Sequence, residues 1–281
     1  MDYTSLIYAV LSMGGLGLLL SMGLAIANKK LHVEEDPRIA LTIDLLPGAN
    51  CGGCGYAGCA NFAENLVAGK TKIASCPVCT SETAEKIAKL LGLNVESSER
   101  KVAVVKCQGG DSSVKKKAEY EGIHSCIAAT FASGGERACS YGCIGYGDCV
   151  EVCPFDAIKM NSERLPVVDR EKCTGCGNCV EACPRDVIEL HPISHHVFVL
   201  CKNRDNPKTS RSVCKHACIG CKICERAVEG KGFIVVDNLA EVDYDKYTKE
   251  LVLPTEKCPT TVSYTHLRAH ETSLHLVCRL L

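Results

Sequence analysis

Residues 51–59, CGGCGYAGC, place three thiols in nine residues with glycine at four of the other six positions. A loop of this kind can hold zinc, an iron–sulfur cluster, or disulfides to distant cysteines. Cys76, directly before Pro77, supplies the expected fourth thiol, with Cys79 as its alternative. Gly52, Gly53, Gly55 and Gly58 let the backbone wrap closely around inorganic sulfide.

The run CTGCGNCVEACP, residues 173–184, decides between these chemistries. It reads C-x2-C-x2-C-x3-C-P, the bacterial two-cluster ferredoxin pattern, in which the fourth cysteine ligates the neighbouring cluster. Zinc sites more often use two separated C-x2-C knuckles. Thirty residues earlier, CIGYGDCVEVCP repeats the pattern, except that Tyr146 replaces the middle cysteine; Cys139 is expected to fill the vacancy. A third copy opens at CIGCKIC, residues 218–224. Its fourth position is Val228, and the loop that follows keeps only Cys258-Pro259. The two losses agree, because a missing partner cluster leaves position 228 nothing to ligate.

This partition predicts four [4Fe-4S] ligand sets. They are Cys51, Cys54, Cys59 and Cys76; Cys139, Cys143, Cys149 and Cys183; Cys153, Cys173, Cys176 and Cys179; and Cys218, Cys221, Cys224 and Cys258. Cys107, Cys126, Cys201 and Cys214 lie in no tight motif but match the number one more cluster needs, giving four to five clusters. Cys278 has no expected role.

The elements that carry these thiols define an α+β chain. Residues 5–27 contain no charge, and 23 helical residues reach about 34 Å, enough to cross a bilayer core of roughly 30 Å. Positive charge follows the segment at Lys29, Lys30 and Arg38, so it reads as an anchor rather than a secretory signal. The positive-inside rule places the N-terminus outside and the remainder in the cytoplasm, where thiols stay reduced. The expected domains are the anchor, 1–30; a small, mainly helical four-cysteine domain, 31–98; a two-cluster ferredoxin-like domain with a preceding extension, 99–200; and a degenerate third unit, 201–262. A helix is expected over 81–91 with Ser81 as cap and Gly92 as stop, and a strand over 101–107. His195 and His196 are expected at the surface. Residues 263–281 break from the preceding pattern, show no cluster motif or strand pairing, and read as a non-native tail.

With 22 cysteines in 281 residues and no Trp, metal is expected to organise much of the fold. A formal charge of −1 suggests no nucleic-acid partner. No strand-flanked GxGxxG and no hydrolytic triad or paired carboxylates are apparent, so no substrate-converting site is expected. Lys115, Lys116 and Lys117 form a basic run that serves either as a solvated face or as a docking patch for an acidic redox protein.

The anchor, CGGCGYAGC with its CP, CSYGCIGYGDCVEVCPFDAI and CTGCGNCVEACP occur in an order that resembles the Rnf complex B subunit, in its longer, cluster-rich form. The resemblance covers residues 1 to about 262. It implies a single-span, cytoplasm-facing electron-transfer subunit of the inner membrane. Such a subunit accepts electrons from reduced ferredoxin and relays them towards other subunits of an ion-translocating ferredoxin:NAD+ oxidoreductase. Two other readings stay open: the iron–sulfur subunit of a different membrane oxidoreductase, and a zinc-stabilised interaction scaffold.

Overall fold

The computed structural model describes residues 3–30, 36–94, 99–228, 232–246 and 257–265. Helix α1, Tyr3–Lys30, is apolar all round. Its stretch Val10–Lys30 has a mean hydropathy of 2.0 and none of it is buried in the protein. A helix with no polar face and no protein cover has the length and composition to cross a membrane.

Helices α2 (Pro37–Leu45), α3 (Cys59–Val67) and α4 (Ser81–Leu91) build the next unit around Phe62, Leu66, Ile73 and Ile87. Asp36 caps α2 by accepting the Arg38 N–H at 2.9 Å. The cap of α4 is Thr80 rather than Ser81: its hydroxyl accepts the Thr83 N–H at 3.3 Å, leaving Ser81 as the first helical residue. Gly92 ends α4 in the left-handed conformation, as expected.

Strand β1 (Lys101–Val105) follows, and then come α5 (Cys126–Ala132), α6 (Asp148–Glu151), β2 (Ile158–Met160), β3 (Pro166–Val168), α7 (Asn178–Glu181) and β4 (Ile188–Pro192). β2 pairs with β3 as a hairpin, whereas β4 pairs with the distant β1, from Lys101 opposite Pro192 to Val105 opposite Ile188. That pairing folds the extension over the ferredoxin repeat. It buries Val102, Ala103, Ala157, Ile158, Val187 and Ile188 together with four cysteines.

The third unit contains β5 (Val197–Val199), α8 (Pro207–Val213), α9 (Ile223–Ala227), β6 (Phe233–Val236), β7 (Leu239–Val242) and β8 (Ser263–Thr265). Its core is Val197, Val199, Phe233, Leu239, Ala240 and Val262, and Val228 packs against it as an apolar side chain. β5 pairs antiparallel with β8, Val199 opposite Ser263. Two expectations change here. Residues 197–199 belong with the third unit, because their ribbon partner lies there. Residues 263–265 are part of that ribbon rather than of a tail without strand pairing. The remainder of the expected tail, with Cys278, lies outside the described residues.

Candidate metal centres

Twenty cysteines converge on five cavities of similar size, about 310–370 Å³ each. Three of the cavities have the expected thiols. Cys51, Cys54, Cys59 and Cys76 line the first, between the loop after α2 and the start of α3. Cys79 does not line it; burial, and then the neighbouring Cys76, push its thiol up to about 11. Cys153, Cys173, Cys176 and Cys179 line the second. Cys218, Cys221, Cys224 and Cys258 line the third, with Cys258 arriving from the segment before β8.

The other two cavities exchange a cysteine relative to expectation. Cys126, not Cys139, joins Cys143, Cys149 and Cys183. Cys139 instead joins Cys107, Cys201 and Cys214, with Cys143 also at the edge of that cavity. The reason is tertiary. Cys126 stands at the start of α5, which is held against the repeat by Asp148. That carboxylate accepts the Cys126 N–H at 2.8 Å, the Ile127 N–H at 3.1 Å and the Ser125 hydroxyl at 2.9 Å. Tyr146, at the vacant motif position, stacks on His124 at 5.2 Å and donates its hydroxyl to Glu136 at 3.2 Å. Meanwhile backbone bridges from Val114 to Cys214 and from Lys116 to Arg137 draw the extension onto both the Cys139 segment and the start of the third unit.

Arg137 and Asn203 escaped sequence reasoning, because neither has a motif and buried polar residues are invisible until the cavity exists. Arg137 is 3% exposed. It donates to the Cys143 carbonyl at 2.9 Å and to Asp111 at 2.8 Å. Asp111 also accepts from Arg164, which reaches Glu136 at 2.8 Å, and Glu136 in turn pairs with Lys116 at 3.4 Å. Of the basic run, Lys115 is exposed, Lys116 is held by Glu136, and Lys117 donates to the Ser133 carbonyl at 2.6 Å. His196 is exposed as expected. His195 is half-buried instead, stacked on Tyr244 with ring centres 4.0 Å apart.

The cavities meet one another. Gly53 lies so close to the second cavity's loop that a Cβ there would stand 2.5 Å from the Cys176 carbonyl oxygen. The Cys143 N–H donates to Cys107 Sγ at 3.4 Å, and the Cys218 N–H donates to Cys201 Sγ at 3.3 Å. Each thiol set therefore abuts the next.

The donor set fits a polynuclear iron–sulfur group better than a single ion. Among the described residues no three His, Cys, Asp or Glu side chains draw together around one metal position. A structural zinc would need four ligands at about 2.0–2.3 Å. Four thiols around a cavity, with N–H groups aimed at sulfur, suit a cluster of iron and sulfide. Burial, and secondarily the neighbouring thiols, push Cys179 up to about 12. The same leading cause raises Cys149 and Cys201 to about 12, and Cys214 and Cys224 to about 11. A bound metal would take the place of the protons that burial favours on these thiols.

Comparison with known proteins agrees with that donor set. Residues 46–78 match the family model described as "Putative Fe-S cluster", and residues 139–190 match "4Fe-4S dicluster domain". The chain is 45% identical over 247 residues to the B subunit of the Na(+)-translocating ferredoxin:NAD(+) oxidoreductase complex of Acetobacterium woodii, covering 88% of this chain and 74% of that one. It is 42% identical to the B subunit of the ion-translocating oxidoreductase complex of Methanosarcina acetivorans, covering 86% of this chain and 92% of the relative. With the proton-translocating relative of Clostridium ljungdahlii the identity is 40%, over 81% of each chain. The chain belongs to the family of Rnf complex B subunits. As a member it is an iron–sulfur electron-transfer protein, and its dicluster match covers seven of the eight thiols of the Cys173 and Cys143 cavities, all but Cys126.

Proposed function

We propose that this protein carries electrons from reduced ferredoxin, through five [4Fe-4S] clusters, to the other subunits of an ion-translocating ferredoxin:NAD+ oxidoreductase. One observation carries the reading: the five thiol sets form an unbroken series. The Cys51 set touches the Cys173 set through Gly53 and Cys176. The Cys173 and Cys143 sets interlock in one core. The Cys143 set adjoins the Cys107 set, and the Cys107 set adjoins the Cys218 set, through the two N–H···S contacts. The clusters, when bound, supply the one-electron chemistry. The chain's residues fix their spacing, exclude water and aim N–H donors at the ligand sulfurs.

In this reading Cys126, Cys143, Cys149 and Cys183 form one ligand set, and Cys107, Cys139, Cys201 and Cys214 another. α1 anchors the series in the cytoplasmic membrane, with the cluster units on the cytoplasmic side. An uncharged single helix offers no path for an ion, so translocation falls to other membrane subunits. The test is iron, sulfide and EPR on the anaerobically purified full chain. About 20 irons per chain are expected, four per cluster, with reduction by ferredoxin. A value near 8, with full reconstitution, would confine the clusters to the ferredoxin repeat; zinc in place of iron would restore the scaffold reading.

A further inference from the structure

We propose that the Cys107, Cys139, Cys201 and Cys214 cavity is the electron well of the series, the site of highest reduction potential, set by Arg137 and Asn203. The inference rests on reading these thiols as cluster ligands. Among the described residues Arg137 is the one buried Lys or Arg, at 3% exposed, and Asn203 the one buried carboxamide, at 1%. Both line this same cavity.

The orientation of Asn203 is fixed by its own bonds. Its carbonyl oxygen accepts the Asp205 N–H at 2.7 Å and the Ser210 hydroxyl at 3.2 Å. Its amide nitrogen is thereby turned to Cys139 Sγ, at 3.6 Å. Its backbone N–H donates to Cys201 Sγ at 3.4 Å. Two ligands of one cavity thus receive hydrogen from one residue. Arg137 brings a full positive charge to the cavity's edge. Its counter-ion Asp111 is 32% exposed and shared with Arg164, whose other partner is Glu136, itself shared with Lys116. The five ion-paired charges sum to +1, the nearby Glu163 carboxylate offsets that charge, and the most buried member of the network is the cation beside the thiols.

Added negative charge is stabilised by a nearby cation and by hydrogen bonds to sulfur, and both raise a cluster's potential. Reduction here takes one electron from a low-potential one-electron carrier, and no bond is made or broken. The cavity lies between the Cys143 set and the Cys218 set, so an electron entering from either end comes to rest there. A second electron then moves along a chain already holding one, which suits delivery to a two-electron acceptor.

The experiment is an EPR-monitored redox titration of the full chain in detergent, comparing wild type with Cys214→Ser, Arg137→Gln and Arg137→Lys. The first signal to be reduced in wild type should be the one missing from Cys214→Ser. In Arg137→Gln, with iron content unchanged, its reduced-to-oxidised ratio at a fixed potential should fall at least tenfold, about 59 mV for one electron. Arg137→Lys should restore most of that loss. If Cys214→Ser keeps the first-reduced signal, or if Arg137→Gln with full iron titrates as wild type, the well lies elsewhere. Should Arg137→Gln lose iron, the order of reduction in wild type against Cys214→Ser decides alone. Unchanged iron in Cys214→Ser would instead overturn the ligand reading, a separate outcome.

Discussion

Cys126 and Cys139 show what a motif can and cannot reveal at the level of single residues. The contiguous runs were fully legible, because their spacing is itself the geometry that grips a cluster. The partner of the broken run was not. Cys139 is four residues from Cys143, yet it lines the neighbouring cavity, while Cys126 reaches the vacancy from α5 under the hold of Asp148. Cys126→Ser should therefore cost about four irons and the signal that Cys149→Ser also removes. Cys139→Ser should cost the signal that Cys201→Ser removes. Iron analysis with EPR reads both, and the reverse pairing would restore the sequence-based partition. Protonation gives a second residue-scale prediction. Burial holds Cys149, Cys179 and Cys201 near 12, so these thiols are protonated at pH 7 and each must release a proton on loading. Ligand thiolate becomes more accessible as pH rises towards those values. Iron uptake by the reduced, metal-free chain should therefore be faster at pH 9 than at pH 7 and should acidify a weakly buffered solution. Uptake that is independent of pH, with no acid release, would mean that these thiols are not the ligands.

Among the elements, those with a local signal were legible: α1 from its uncharged run, and α4 from its Gly92 stop, although its cap lies one residue before the expected Ser81, at Thr80. The long-range pairings were not. Nothing local to Lys101–Val105 announces β4, and nothing local to Ser263–Thr265 announces β5, because a strand partner distant in sequence is chosen by burial of the shared core. The docking of the first thiol loop on the ferredoxin unit is equally a tertiary fact. It depends on Gly53, where a Cβ would meet backbone at 2.5 Å and force the two loops apart. Gly53→Val should part the two loops, and its electron exchange is read in protein whose iron content matches wild type. It should slow electron exchange between the Cys51 set and the Cys173 set severalfold, as followed by freeze-quench EPR after rapid reduction. A variant that exchanges electrons at the wild-type rate would show that this contact does not set the coupling between the two units.

For the whole molecule, charge decides how a partner approaches. The bare chain carries −1, but a four-thiolate cluster in its 2+ state adds about −2, so the five proposed clusters would add about −10. The loaded protein is then strongly acidic, and an acidic ferredoxin is repelled unless a local basic surface overcomes that field. The extension offers one. Lys115 is exposed, and Lys116 is 55% exposed despite its pairing with Glu136. Lys117 is exposed although it donates to the carbonyl of Ser133, just past α5. On α5 itself Ile127 and Phe131 stand one turn apart and exposed, at 47% and 88%, next to the turn that presents Cys126. If ferredoxin is the donor, as proposed, this basic rim beside an apolar patch is where charge steering would bring it. Replacing Lys115, Lys116 and Lys117 together by glutamate should slow reduction by ferredoxin at low salt by at least tenfold. It should also flatten the salt dependence, since the steering charge is gone. Reduction by dithionite, a small reductant that needs no docking patch, should be nearly unchanged in the same variant. That control also reports any damage to the Glu136–Arg164 network when position 116 changes sign. Stopped-flow reduction across an ionic-strength series separates the outcomes: an unchanged rate and slope with ferredoxin would make the lysines a solvated face and move docking to another surface.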